Sequence, residues 1–153
     1  FDGVITVLNK FFSIVKSNKV YFGEKDFQQL KIIEKFIQEK YEFLEIVSVP
    51  TKRNEEGIAY SSRNEKLTKK QLQDFVSFHQ KVENFLKSLE NSFDIEIANQ
   101  KAKDFIVEQD IEELDYFEFR NNYDLSFNGK VSESRLFYAI YKGKIRLIDN
   151  LKI

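Results

Sequence analysis

A chain of 153 residues suffices for one domain, or for a small domain joined to a piece of another. Its 24 basic and 25 acidic residues leave a net charge of -1, so the basic excess that nucleic acid demands is missing, and zero Cys excludes disulfides, thiolate metal sites and thiol catalysis. No apolar run approaches the roughly 20 residues of a membrane span and no signal peptide is visible, so neither membrane nor nucleic acid is an expected partner and a cytoplasmic setting is expected.

From Val4 to Val15, apolar residues at Val4, Ile5, Val7, Leu8, Phe11, Phe12, Ile14 and Val15 form a dense helical pattern, which predicts a helix buried on more than one side. Ser17-Asn18 breaks it. Val20-Tyr21-Phe22 reads as a short strand followed at once by Gly23, and the next helix carries Phe27, Leu30, Ile33, Phe36 and Ile37 inward. Phe43 to Val49 is the next strand, ended by Pro50. Helix, strand, helix, strand is the alternation of a parallel sheet. Two strands do not complete such a sheet, and the chain opens at Phe1 within a helical pattern, so further strands are expected upstream of residue 1.

Thr51 to Lys66 is polar and without period, which predicts a long loop and a domain boundary. Thr68 opens an amphipathic helix, with Gln71 completing a capping box and a stripe of Leu72, Phe75, Val76, His79, Val82, Phe85, Leu86 and Leu89. Another helix spans about Ile95 to Gln109. Strands follow at Leu114 to Phe119, Arg135 to Tyr141 and Ile145 to Ile148, the last two joined by a tight hairpin through Lys142-Gly143-Lys144. The expected fold is therefore α/β: a partial parallel sheet, then a small α+β domain with antiparallel strands.

Two segments offer polar groups of use to phosphate chemistry. Gly23-Glu24-Lys25-Asp26 lies between the carboxyl end of a strand and the start of a helix, the edge of an open α/β sheet where ligands bind. Gln29 sits one turn further on. A bland reading competes, in which Asp26 and Gln29 cap the helix and Gly23 only turns the chain. The second segment is Tyr60-Ser61-Ser62-Arg63, whose hydroxyls and guanidinium can grip phosphate oxygens; the alternative there is a polar linker ending in a helix cap. His79, the only His, falls on an apolar stripe and reads as a core residue. Glu112-Glu113 lacks the spacing of a metal site, and no metal ligands are expected.

The sequence resembles the pantothenate synthetases along four ordered stretches. Phe1 to Lys16 is similar to the family's F-x-G-V-x-T-V helix, and Tyr21 to Leu30 to its Y-F-G-E-K-D-x-Q-Q-L signature. Val47 to Asn64 is similar to V-x-x-P-T-x-R-x-x-x-G-x-A-x-S-S-R-N, and Gly143 to Leu151 to G-x-x-R-L-I-D-N-x. The resemblance implies a Rossmann-like, nucleotidyltransferase-type domain in residues 1–60 lacking its N-terminal part, and a small lid domain in residues 61–153. It implies an ATP site between the two, ATP with Mg2+, the substrates pantoate and β-alanine, and a homodimer when the protein is full length. Gly23, Glu24, Lys25, Asp26, Lys52, Tyr60, Ser61, Ser62 and Arg63 would bind ATP, with Asp26 on the ribose. Lys25 and Arg63 would carry catalysis, and Gln29 would bind pantoate. Lys52 and Tyr60 depart from the family pattern, which has an aliphatic residue and Met or Leu there. The family's H-x-G-H motif is absent from these residues, so the chain alone is expected to be inactive. Two other readings are an adenylating enzyme for a different acid and a non-catalytic helical interaction module built on residues 68–110.

Overall fold

A computed structural model describes residues 1–153, which divide into two compact units, Phe1–Thr51 and Lys52–Ile153. The division thus falls ahead of the Tyr60/Ser61 boundary expected from sequence, and the whole Ser-Ser-Arg loop belongs to the second unit.

The first unit consists of α1 (Asp2–Ile14), β1 (Lys19–Gly23), α2 (Phe27–Lys40) and β2 (Glu45–Val49). The two strands pair in parallel, with Gly23 opposite Val49, so their carboxyl ends are level. Phe12, Ile33, Phe36 and Ile37 form the core, joined by Val20, Phe22 and Ile46 from the strands. Tyr41 closes it with edge-on contacts to Phe12 and Phe36 at 5.4 and 5.6 Å.

Two expectations need correction here. Only one face of α1 is covered: Val7 and Ile14 remain 67% and 71% exposed, because two strands within this unit offer it a single surface. The second strand starts at Glu45, not Phe43. Residues 41–44 form a turn instead, closed by the Leu44 amide on the Tyr41 carbonyl, and Phe43 points outward.

The second unit contains α3 (Lys69–Ser88), α4 (Ile95–Val107), β3 (Glu113–Asn121), β4 (Ser134–Lys142) and β5 (Ile145–Lys152). The strands form an antiparallel sheet in chain order, with β4 in the centre. The capping box forms as expected: the Gln71 amide donates to the Thr68 hydroxyl at 3.3 Å, and the Thr68 amide donates to the Gln71 side chain at 3.0 Å. Both helices turn their apolar stripes to the sheet, where Phe75, Phe78, Val82, Ala98 and Ala102 meet Phe117, Phe119, Leu136, Tyr138, Ile140 and Leu147. The β4–β5 hairpin is closed by Gly143 and Lys144, and only Gly143 has positive φ, at 59°, as a type II′ turn requires of its first central residue. The α/β architecture is as read from sequence. No helix is long and apolar enough to cross a membrane.

Candidate functional site

In the first unit, β1 ends at Gly23 and the chain passes through a single 3-10 turn, Glu24–Asp26, into α2. Gly23 has ordinary extended angles, φ -74° and ψ 138°, and a Cβ built on it would meet nothing within 4 Å. Within this unit, neither backbone strain nor a neighbouring atom therefore requires glycine here. What a side chain would obstruct is the open space over the strand end, where a ligand approaches in folds of this kind.

The capping alternative for this segment is not what forms. Asp26 occupies the N-cap position of α2, yet its side chain makes no capping hydrogen bond, and the residue is exposed. Lys25, Glu24 and Gln29 lie around the same turn. One glycine, one ammonium, two carboxylates and an amide thus lie along one strand mouth, at the start of a 14-residue helix.

In the second unit, the segment read as an unstructured loop is a pinned hairpin. Asn54 and Gly57 close a turn through the Gly57 amide on the Asn54 carbonyl at 3.0 Å, while the Asn54 side chain accepts the Glu56 and Ile58 amides. Arg53 and Ala59 then pair across it, and Ile58 and Ala59 are buried. Beyond the hairpin, Ser61 accepts the Asn64 amide on its carbonyl and the Arg63 amide on its hydroxyl, so Ser61 shapes a turn. The side chains of Ser62 and Arg63 are exposed and make no hydrogen bond within the chain. Lys52 and Tyr60 are neighbours: the Tyr60 amide donates to the Lys52 carbonyl at 3.1 Å, and the Lys52 ammonium lies 5.7 Å from the Tyr60 ring centre.

The residues that hold this hairpin were missed in the sequence. Arg53 donates from one terminal nitrogen to the Gly57 carbonyl at 2.9 Å and to Asp149 at 2.6 Å. From the other it donates to Asp149 at 3.0 Å and to the Asn150 carbonyl at 2.9 Å. Asp149 shares the inward side of β5 with Leu147 and Leu151, all three buried. An aspartate in that register needs a cationic partner, and that was the legible signal. Behind the pair, fully buried His79 contacts the Tyr138 hydroxyl through Nδ1 at 3.0 Å. Burial pushes the Tyr138 phenol well above its usual range.

Burial also lowers the pKa of His79 below its usual 6.5, and the Arg53 charge lowers it further, against the opposing pull of Asp149, Glu83 and the Gly57 backbone. A histidine kept neutral by the fold takes up its proton more readily when unfolded. Stability is therefore complete above about pH 6.5 and falls as the pH drops below it. Thermal midpoints of the chain between about pH 7.5 and 5 should decline less in His79→Gln than in the unaltered protein. Parallel slopes for the two would show that His79 is not responsible.

A family model for pantoate–β-alanine ligase matches residues 1–152. The chain belongs to the pantoate–β-alanine ligase family. Among its relatives, the pantothenate synthetase of Aquifex aeolicus (strain VF5) is 38% identical over 160 residues, covering 100% of this chain and 55% of that protein. That of Clostridium botulinum (strain Loch Maree / Type A3) is 37% identical over 152 residues, covering 98% and 54%. The crystal structure of the Thermus thermophilus pantothenate synthetase superposes with a TM-score of 0.84 at 28% identity, over 99% of this chain and 55% of that one. The pantoate–β-alanine ligase of Francisella tularensis, complexed with beta-gamma ATP and β-alanine, superposes with a TM-score of 0.68 at 29% identity, over 98% and 49%. This ligase-family chain spans about half the length of the curated relatives it matches.

Proposed function

We propose that this chain is part of a cytoplasmic enzyme that joins pantoate to β-alanine at the expense of ATP. The pantoate carboxylate attacks the α-phosphorus and releases pyrophosphate. The β-alanine amine then attacks the carbonyl of the pantoyl adenylate, forming the amide, losing a proton and releasing AMP. The observation that carries this reading is the Gly23–Gln29 segment: a glycine kept without conformational need at a strand mouth, beside an ammonium and an uncapped carboxylate.

In this reading Asp26 accepts hydrogen bonds from the ribose hydroxyls, the Gly23 and Glu24 backbone borders the adenosine, and Gln29 binds pantoate. Lys25 and Arg63 offset charge growing at the α-phosphate, and Ser61 and Ser62 complete the grip on the phosphates. The Lys52 carbonyl already holds the Tyr60 amide, so those two side chains border the base as one cation–aromatic pair. No group of three or more His, Cys, Asp or Glu side chains is placed to hold a metal. Mg2+ would therefore arrive with the triphosphate, as this ion commonly does. The small α+β unit serves as the lid, and the intact protein is a homodimer.

An interaction module on residues 68–110 is less well supported, because α3 and α4 already use their apolar stripes within their own unit. The test is turnover. The intact protein should form AMP and pyrophosphate from ATP only with pantoate present, and pantothenate only once β-alanine is added. The 153-residue chain alone, which contains one His and no H-x-G-H, should do neither. Release of AMP with another carboxylic acid but not with pantoate would contradict the substrate assignment.

A further inference from the structure

We propose that Arg53 and Asp149 are positioning residues for the phosphate loop: their paired forks fix the Arg53–Ala59 hairpin and so set where Ser62 and Arg63 present their donors. This role rests on the phosphate-loop reading of residues 60–63.

Four hydrogen bonds converge on the Arg53 guanidinium, and their acceptors come from two places: the hairpin itself, through Gly57, and β5, through Asp149 and Asn150. The side chains of Asp149 and Arg53 are 2% and 23% exposed, so little water competes for the pair. Asp149 is held in turn by the Asn150 amide at 2.8 Å. Burial opposes the Arg53 charge, yet the hydrogen bonds and charge of Asp149 outweigh it and keep the guanidinium protonated. The apex of the hairpin is equally fixed. Gly57 has φ +83°, and a Cβ there would lie 3.1 Å from His79 Nε2 and 3.2 Å from a Glu83 oxygen. On the far side, the Asn64 side chain donates to the Ala59 carbonyl at 2.9 Å. The base of the loop is thus bonded at Arg53, Gly57, Ala59 and Asn64, while the side chains at its tip, Ser62 and Arg63, are left unbonded.

That distribution suits a loop whose donors must meet phosphate oxygens at fixed places. A buried ion pair is a weak source of stability compared with apolar residues of the same size, but a guanidinium fork fixes direction as no apolar contact does. Lysine at residue 53 would keep the charge and lose the fork. The misplacement would be felt at Ser62 and Arg63, far from the altered atoms, and small displacements of this sort are costly to catalysis.

The experiment uses Arg53→Lys and Asp149→Asn in the intact protein, with pantoate-dependent ATP–pyrophosphate exchange and overall turnover as readouts. The proposal predicts that the KM for ATP rises by roughly tenfold or more while the KM for β-alanine is unchanged. Lower kcat that only tracks the folded fraction measured by thermal unfolding, with both KM values unchanged, would overturn it. Amide exchange in the intact protein supplies a readout independent of activity: Arg53→Lys should speed exchange at residues 57–64 and leave β3 to β5 protected. Uniform acceleration throughout residues 52–153 would overturn the proposal. Should the unaltered intact protein show no pantoate-dependent exchange of pyrophosphate, the ligase reading fails, and the amide-exchange pattern alone decides whether the pair positions the loop.

Discussion

Lys25→Ala in the intact protein should slow pantoyl adenylate formation by roughly 100-fold or more, the usual consequence of removing one transition-state charge contact. Lys25 lies in the middle of the single 3-10 turn between β1 and α2, so its ammonium is carried by a short, rigid connection. Alanine keeps that turn, and the folded state should survive. In the proposed reading Gly23, Asp26 and the Ser-Ser-Arg loop also hold ATP, so the loss should appear in the rate of pyrophosphate release more than in the KM for ATP. Single-turnover measurement of pyrophosphate separates the two effects. A variant that releases pyrophosphate at the normal rate would remove Lys25 from the mechanism.

Phe119→Ala should cost the second unit about 3–5 kcal/mol, the range for truncating a large buried aromatic residue. Phe119 is fully buried on β3, with its ring 6.3 Å from that of Phe85 on α3. Its backbone amide and carbonyl are both bonded to Asn99 of α4, so the strand has little freedom to collapse into the space left behind. A loss of this size is a large share of what a unit of about 100 residues possesses. The consequence reaches function through Asp149, which sits on the same three-stranded sheet and anchors the hairpin by Arg53. Urea denaturation followed by tyrosine fluorescence gives the value; a change below about 1 kcal/mol would mean that the site refills.

Much of this architecture was legible because periodicity and local chemistry agreed. Thr68 and Gln71 announce a helix start through their own side chains, and the stripe from Phe75 to Val82 identifies the buried face. Gly143 between two apolar runs marks the hairpin for the same local reason. What failed depended on partners distant in the chain. The apolar pattern of α1 suggests burial on more than one side, but burial is set by what lies opposite, and within its unit one face has nothing over it. The loop from Thr51 to Lys66 looked shapeless because no period organises it. Its order comes from Arg53 reaching Asp149, 96 residues away, and from the Asn54 side chain standing in for backbone. At the site, the lysine, serines and arginine were visible as residue types. The absence of a cap at Asp26 and of any conformational need for Gly23 became visible only in three dimensions.

The proposed function requires the lysine turn of one unit and the arginine loop of the other to serve a single nucleotide. A crystal structure of the intact protein with a non-hydrolysable ATP analogue and pantoate tests it most directly. The Lys25 ammonium and the Arg63 guanidinium should both lie roughly 3 Å from oxygens of the same triphosphate, with Asp26 on the ribose. A nucleotide bound with either cation turned away from its phosphates would contradict the account.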